Sequence, residues 1–307
     1  MAYLALIAAA IFVAIIVAVV LMKAQKTLYL STMWGLGNRL RTMRVALDVC
    51  RALGWRLVVV HVDDKGYEGA PPEDLFVVPG IEYAREVPRG TKTIAHNVKN
   101  DCSLDMSIEN IRIGAEGLPA VCIYACGLKV AGLADDSVMY KTMRPTPKVI
   151  EACSIALKAL DATKNPVGVH IRQGSAPDFK LGYFFGKWEN SDQSVMPIGC
   201  CVNGNKHETL CPESATIAER FVEKMKAMPE DAIFFVCSDR PGCIEYLEDV
   251  FPGRIATNAW VETLNNDAFG AFCDWYCLSM CPTLILSHTS SFSREAEIKS
   301  GAATHYV

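Results

Sequence analysis

The chain has 307 residues, 51% of them hydrophobic and 21% charged, with a net charge of −4. That balance belongs to a folded chain with room for two domains and excludes a disordered one. The slight acidity also excludes a general nucleic-acid binder, which relies on clustered positive charge.

Leu4 to Met22 is a run of nineteen apolar residues without a charge, long enough to cross a bilayer. It has no basic residue before it and no clean small-residue cleavage site after it. It therefore reads as a single-pass membrane anchor (residues 1–25) rather than a secretory signal. Lys23, Lys26, Arg39, Arg41 and Arg44 follow it, which puts the body on the cytoplasmic face by flanking charge. The absence of any Asn-x-Ser/Thr sequon points the same way.

From Lys26 the pattern is strand, Gly-rich turn, helix, strand. Leu28–Ser31 is a strand, Asn38–Leu53 an amphipathic helix closed by Gly54, and Leu57–His61 a strand of the fully buried type. Residues 64–74 read as a loop. Between Asp101 and Asp136 only Val121–Tyr124 stands out as a strand. Pro145 and Pro147 break the chain. A helix over Lys148–Leu160 follows, with Val149, Ile150, Cys153, Ala156, Leu157 and Leu160 on one face.

A second alternating series then begins: strand 167–171, loop 173–211, helix 213–227, strand 232–237, helix 241–250, strand 254–256, helix 267–280, strand 283–286 and helix 291–299. Two β-α series imply an α/β fold with two facing Rossmann-like domains, 26–145 and 146–307. Of the thirteen cysteines, Cys273, Cys277 and Cys281 share one helix face and read as buried free thiols. Cys200, Cys201 and Cys211 cluster in a loop, an arrangement compatible with disulfides in an oxidising compartment. No Cys-x-x-Cys pair, and so no zinc site, is apparent.

Four segments carry the chemistry. Trp34-Gly-Leu-Gly-Asn-Arg-Leu-Arg41 is a glycine-rich β-α turn, whose helix N-terminus favours anions. Val167-Gly-Val-His-Ile-Arg172 ends a strand in an arginine, at the end of a parallel sheet where ligands bind. Its guanidinium suits a phosphate. Ile233-Phe-Phe-Val-Cys-Ser-Asp239 ends a buried strand in a carboxylate. The fourth runs from Asp274-Trp-Tyr-Cys-Leu-Ser279 through the last apolar strand to Ser287-His-Thr-Ser-Ser-Phe-Ser-Arg294.

In this order the four segments resemble the α1,6-, α1,2- and protein O-fucosyltransferase superfamily, which includes the rhizobial nodulation fucosyltransferase, over roughly residues 28 to 296. The resemblance implies the GT-B arrangement and an inverting transfer of fucose, or a similar sugar, from a GDP-sugar to a glycan or protein acceptor. It implies no metal, with arginine in the metal's place, and a Golgi or ER lumenal body, opposite to the orientation that the flanking charges give. Gln173 stands where the α1,6 enzymes have a second arginine, so no linkage is assigned.

The expected roles follow. Gly37, Asn38 and Arg39 line the donor side of the glycine-rich turn. Arg172 stabilises charge on the leaving diphosphate, and the resemblance implies that Asp274 holds its guanidinium by a paired hydrogen bond. Ser290, Ser291 and Phe292 form a nest for the diphosphate, with a plain serine N-cap as the competing reading. Asp239 accepts from the N1 and N2 donors of guanine. His170 either contacts the sugar or β-phosphate or is a satisfied core histidine. Asp178 is the best-placed general base. The expected partners are a nucleotide-sugar donor, a glycan or glycoprotein acceptor and the membrane, and no nucleic acid. A transferase-like fold that binds glycan or nucleotide without turnover is the second functional reading.

Overall fold

The computed structural model describes residues 7, 11–12, 25–32, 35–61, 70–97, 104–133, 137–172, 220–238, 241–258, 268–288 and 290–307. The fold is α/β and contains two separate five-stranded sheets. The chain forms two compact units, each assembled from discontinuous stretches. The first takes residues 1–32, 42–62 and 80–134; the second takes 33–41, 63–79 and 135–307. No single cut at 145/146 separates them, because two excursions of the N-terminal half belong to the second unit.

In the first unit the sheet order is Ile81–Ala84, Arg56–Val60, Thr27–Thr32, Ala120–Ala125, Lys92–Asn97, with every neighbour parallel. Leu28, Leu30, Val59 and Ile123 are completely buried. Such continuous apolar strands are what a parallel sheet covered on both faces requires. The helix Leu36–Leu53 ends at Gly54, whose φ of 67° is left-handed. Trp55 N–H donates back to Cys50 C=O at 2.7 Å, which closes the helix end.

Strands Ile81–Ala84 and Lys92–Asn97 depart from the expected pattern. Each has a partner on one side only and carries charged or half-exposed side chains, so neither presents an apolar run. The helices Pro72–Leu75, Ile108–Gly114 and Val138–Thr142 are likewise additions.

In the second unit the order is Ile255–Ala256, Ile233–Ser238, Pro166–Ile171, Thr283–Leu286, Ala303–Tyr306, again all parallel. Counted along the chain this is 3-2-1-4-5. The strand order therefore reverses between Pro166–Ile171 and Thr283–Leu286, and ligands bind outside the carboxyl ends of the strands at such a point. On one sheet face Val167, Val169, Ile171, Phe234, Val236 and Ile285 pack with Phe221, Met225, Leu247 and Phe251. The opposite face carries Gly168 and His170, as the two-residue alternation of a strand demands. A Cβ on Gly168 would lie 2.7 Å from a Leu284 methyl and 2.8 Å from a Leu278 methyl, so a larger residue there requires those side chains at the end of helix Ala268–Leu278 to shift.

The excursion at residues 72–77 is tied into the second unit. Phe76 stacks on Phe272 at 5.1 Å between ring centroids, and Thr146 N–H donates to Leu75 C=O at 3.0 Å. The helix expected over Lys148–Leu160 is two, Pro147–Ala152 and Ser154–Asp161. Cys153 sits between them and keeps the helical bonds to Val149 and Leu157. Ile150, expected on the buried face, is 49% exposed. It lies just off the Val149–Cys153–Ala156–Leu160 stripe, which is buried.

Among the described residues no helix is long and apolar enough to cross a membrane. Most of Leu4–Met22 lies outside the described residues, as do the loop 173–211 and the cysteines within it. Cys273, Cys277 and Cys281 are buried and form no disulfide.

Candidate active site

The candidate site lies at the carboxyl end of the second unit's sheet, where strand order reverses. Strand Pro166–Ile171 delivers His170 and Arg172, and strand Thr283–Leu286 delivers the turn into helix Ser291–Ser300. Ser287, 4% exposed, joins the two strand ends. Its N–H donates to His170 C=O at 3.1 Å, and its hydroxyl donates to the same carbonyl at 3.2 Å. The hydroxyl oxygen also accepts from Arg172 N–H at 2.9 Å.

Ser290 is the N-cap of helix Ser291–Ser300, its hydroxyl accepting from Ser293 N–H at 3.4 Å. The side chain of Ser290 thus does the capping that the simpler reading assigned to it. The helix opening still presents first-turn N–H groups, the feature that attracts anions. Phe292 packs against the His170 ring, tilted by 31°, at 4.6 Å between centroids.

His170 is 5% exposed, and its Nδ1 shares a hydrogen bond of 2.7 Å with the Ser293 hydroxyl. Burial, and then the nearby charge of Arg172, hold the imidazole down to about 3 from its ordinary 6.5. It is therefore neutral at physiological pH. Of the two readings of His170, the buried and hydrogen-bonded one describes its surroundings.

Gly37 comes to the same turn from the glycine-rich loop. A Cβ there would lie 2.3 Å from Phe292 N, 2.6 Å from Ser291 C and 2.7 Å from Phe292 Cα. Asn38 is half-buried and its Oδ1 accepts from Arg41 Nη2 at 3.0 Å, while Arg39 is 2% exposed. The structure thus brings together Gly37, His170, Arg172, Ser290, Ser291 and Phe292. Asp178 and Asp239 lie outside the described residues.

Asp274 departs from its expected partner. It is 6% exposed on helix Ala268–Leu278, and its Oδ1 accepts from Asn258 Nδ2 at 2.8 Å instead of holding the Arg172 guanidinium. Asn258 is completed by the Cys277 thiol, which lies 3.7 Å from its Oδ1. Burial raises the Asp274 carboxyl from 3.8 to about 7, against the Asn258 hydrogen bond, which lowers it. The physical reason for the changed partner is depth. An uncharged amide satisfies a buried carboxyl at less desolvation cost than an ion pair does.

Ser287, Ser293, Asn258 and the buried pair of Tyr140 and Glu295 were not singled out from sequence. Tyr140 Oη donates to Glu295 Oε2 at 2.6 Å. The two serines lie in the Ser287–Arg294 segment, a local signal in the sequence, whereas Asn258 and Tyr140 carry none. Among the described residues no cluster of three or more His, Cys, Asp or Glu side chains is arranged to hold a metal ion.

The chain shares the fold of solved fucosyltransferases. In particular it is similar to the fucosyltransferase NodZ from Bradyrhizobium, at a TM-score of 0.55 and 14% identity over 89% of this chain and 93% of that one. It is similar also to POFUT1 in complex with GDP-fucose, at 0.57 and 14% over 92% of this chain and 98% of that one. Apo POFUT1 gives 0.58 and 16% over the same shares. No protein-family model and no curated protein sequence matches the chain.

Proposed function

We propose that this protein is a glycosyltransferase that moves fucose, or a similar sugar, from a GDP-sugar to a glycan or protein acceptor. The observation that carries the reading is the convergence of Arg172, Ser290–Phe292, His170 and Gly37 at the switch point of one parallel sheet. The shared fold supports it, since NodZ and POFUT1 are known in complex with GDP-fucose or GDP.

In this reading the second unit binds the nucleotide sugar and the first unit is the acceptor side. The diphosphate lies against the N–H groups that open helix Ser291–Ser300. As the glycosidic bond breaks, negative charge grows on the β-phosphate, and the Arg172 guanidinium stabilises it without a metal. The neutral His170 orients Phe292, and Asp239 accepts from guanine. The transfer inverts the sugar configuration, with Asp178 as general base. Leu4–Met22 anchors the chain in a membrane.

The test is incubation of the full chain with GDP-fucose, GDP-mannose and UDP-galactose, with nucleotide release and acceptor labelling as readouts. NMR of the product sugar reports its configuration. Release of GDP from GDP-fucose above the other donors supports the reading. Equal inactivity with all three overturns it. One observation favours the second reading, a binding module without turnover: Asp274 is engaged by Asn258 and not by Arg172. Tight GDP binding without turnover distinguishes that case.

A further inference from the structure

We propose that Ser287 is a positioning residue that sets Arg172 relative to the phosphate-binding turn, an inference that rests on the function proposed above. The register of strands Pro166–Ile171 and Thr283–Leu286 ends at the His170–Leu286 pair. One further rung is made by Ser287 N–H on His170 C=O at 3.1 Å. In a regular parallel ladder the next rung would run from Arg172 N–H to the backbone carbonyl of residue 287. Here the Ser287 hydroxyl takes the carbonyl's place and accepts from Arg172 N–H at 2.9 Å. The same hydroxyl gives its proton to His170 C=O at 3.2 Å.

The Ser287 carbonyl is therefore released from the ladder, and it accepts from Ser290 N–H at 3.4 Å. One residue thus ends the sheet, fixes the backbone of Arg172 and starts the turn that caps helix Ser291–Ser300. A side chain without a hydroxyl leaves two outcomes. Arg172 N–H loses its partner, or the carbonyl swings back to it and lets go of Ser290. Both change the spacing between the guanidinium and the first-turn N–H groups. A misplacement of that kind typically costs about 10²-fold in rate.

The experiment compares Ser287→Ala, Ser287→Thr, Arg172→Ala and the Arg172→Ala/Ser287→Ala double variant of the full chain. GDP release from GDP-fucose is measured as kcat and KM, with thermal unfolding alongside. The expected result is that Ser287→Ala lowers kcat by about 10²-fold with KM and unfolding temperature little changed. Threonine, which keeps the hydroxyl, recovers most of the loss. In the Arg172→Ala background Ser287→Ala has no further effect, because residues acting as a unit are not additive.

Ser287→Ala with the parental kcat, while Arg172→Ala is inactive, overturns the positioning role and leaves the proposed function standing. The same Ser287→Ala loss in both backgrounds, or a loss that follows unfolding in Ala and Thr alike, overturns it in favour of a structural role. An Arg172→Ala variant as active as the parent, or a parent that releases no GDP, overturns the proposed site and this inference with it.

Discussion

A methyl group on Gly37 would lie 2.3 Å from the backbone nitrogen of Phe292. No flexible side chain is available to yield, because the nearest atoms all belong to the Ser291–Phe292 backbone. The glycine-rich loop and the opening of helix Ser291–Ser300 are therefore in backbone-to-backbone contact at the candidate site. Gly37→Ala must push them apart. The expected cost is about 1–3 kcal/mol of stability, with a smaller stabilisation by GDP. Thermal unfolding with and without GDP checks this. A variant that melts and responds to GDP like the parent shows that Gly37 does not shape the turn.

Arg172→Lys keeps a positive charge but loses the planar fork. If Arg172 meets the leaving diphosphate, turnover of GDP-fucose falls by roughly 10²–10³, or about 2.7–4 kcal/mol. The contact to Ser287 is kept, since it is made by the Arg172 backbone N–H. Steady-state kinetics decide it, and a lysine variant near the parental rate removes Arg172 from the chemistry.

Asp274 makes stability depend on pH in a defined direction. Its carboxyl is raised from 3.8 to about 7 by burial. The folded state therefore holds the proton where the unfolded chain has lost it. The group's contribution is complete below about pH 4, is lost as pH rises towards 7, and is flat above that. At about 1.4 kcal/mol per pH unit across that window the loss is roughly 4 kcal/mol at most. Asp274→Asn still presents an oxygen to Asn258 and has no proton to lose. Its stability relative to the parent should climb between pH 4 and 7 in denaturant unfolding. A flat difference across that window contradicts the assignment.

His170 has the opposite dependence. Its imidazole is lowered from 6.5 to about 3 by burial and by Arg172. Its contribution is present above about pH 6.5 and is lost as pH falls towards 3. Between pH 5 and 8 its ring signals in a 13C-histidine NMR titration should not move, and a midpoint near 6.5 would refute this. Ser293→Ala leaves Nδ1 without its partner at 2.7 Å. That change should cost about 1–3 kcal/mol.

Much of the fold was legible from local pattern. Leu28–Ser31, Leu57–His61, 167–171, 232–237 and 283–286 all fall on strands of the two sheets, because strands buried on both faces leave unbroken apolar runs. The strands Ile81–Ala84 and Lys92–Asn97 left no such run. They are edge strands, formed by pairing with a neighbour remote in sequence. Ala303–Tyr306 is a third case: half-exposed, with a single parallel partner.

The site was legible in part for the same reason. Arg172 and the Ser290-Ser-Phe292 turn announce themselves because a strand end followed by a cation or a serine turn is a local signal. The partner of Asp274 was not, because Asn258 lies 16 residues earlier in the chain and reaches the carboxyl only through packing.

By itself the sequence determined the β-α alternation, the chemistry carried at each strand end and the apolar segment at the N-terminus. These depend on neighbours a few residues apart, through side-chain periodicity and turn chemistry. The tertiary structure decided the 3-2-1-4-5 strand order, the interleaving of the two units, the approach of Gly37 to Phe292 and the exchange of Arg172 for Asn258 as the partner of Asp274. Those depend on burial and on hydrogen bonds between residues brought together from distant parts of the chain, where desolvation selects the partner.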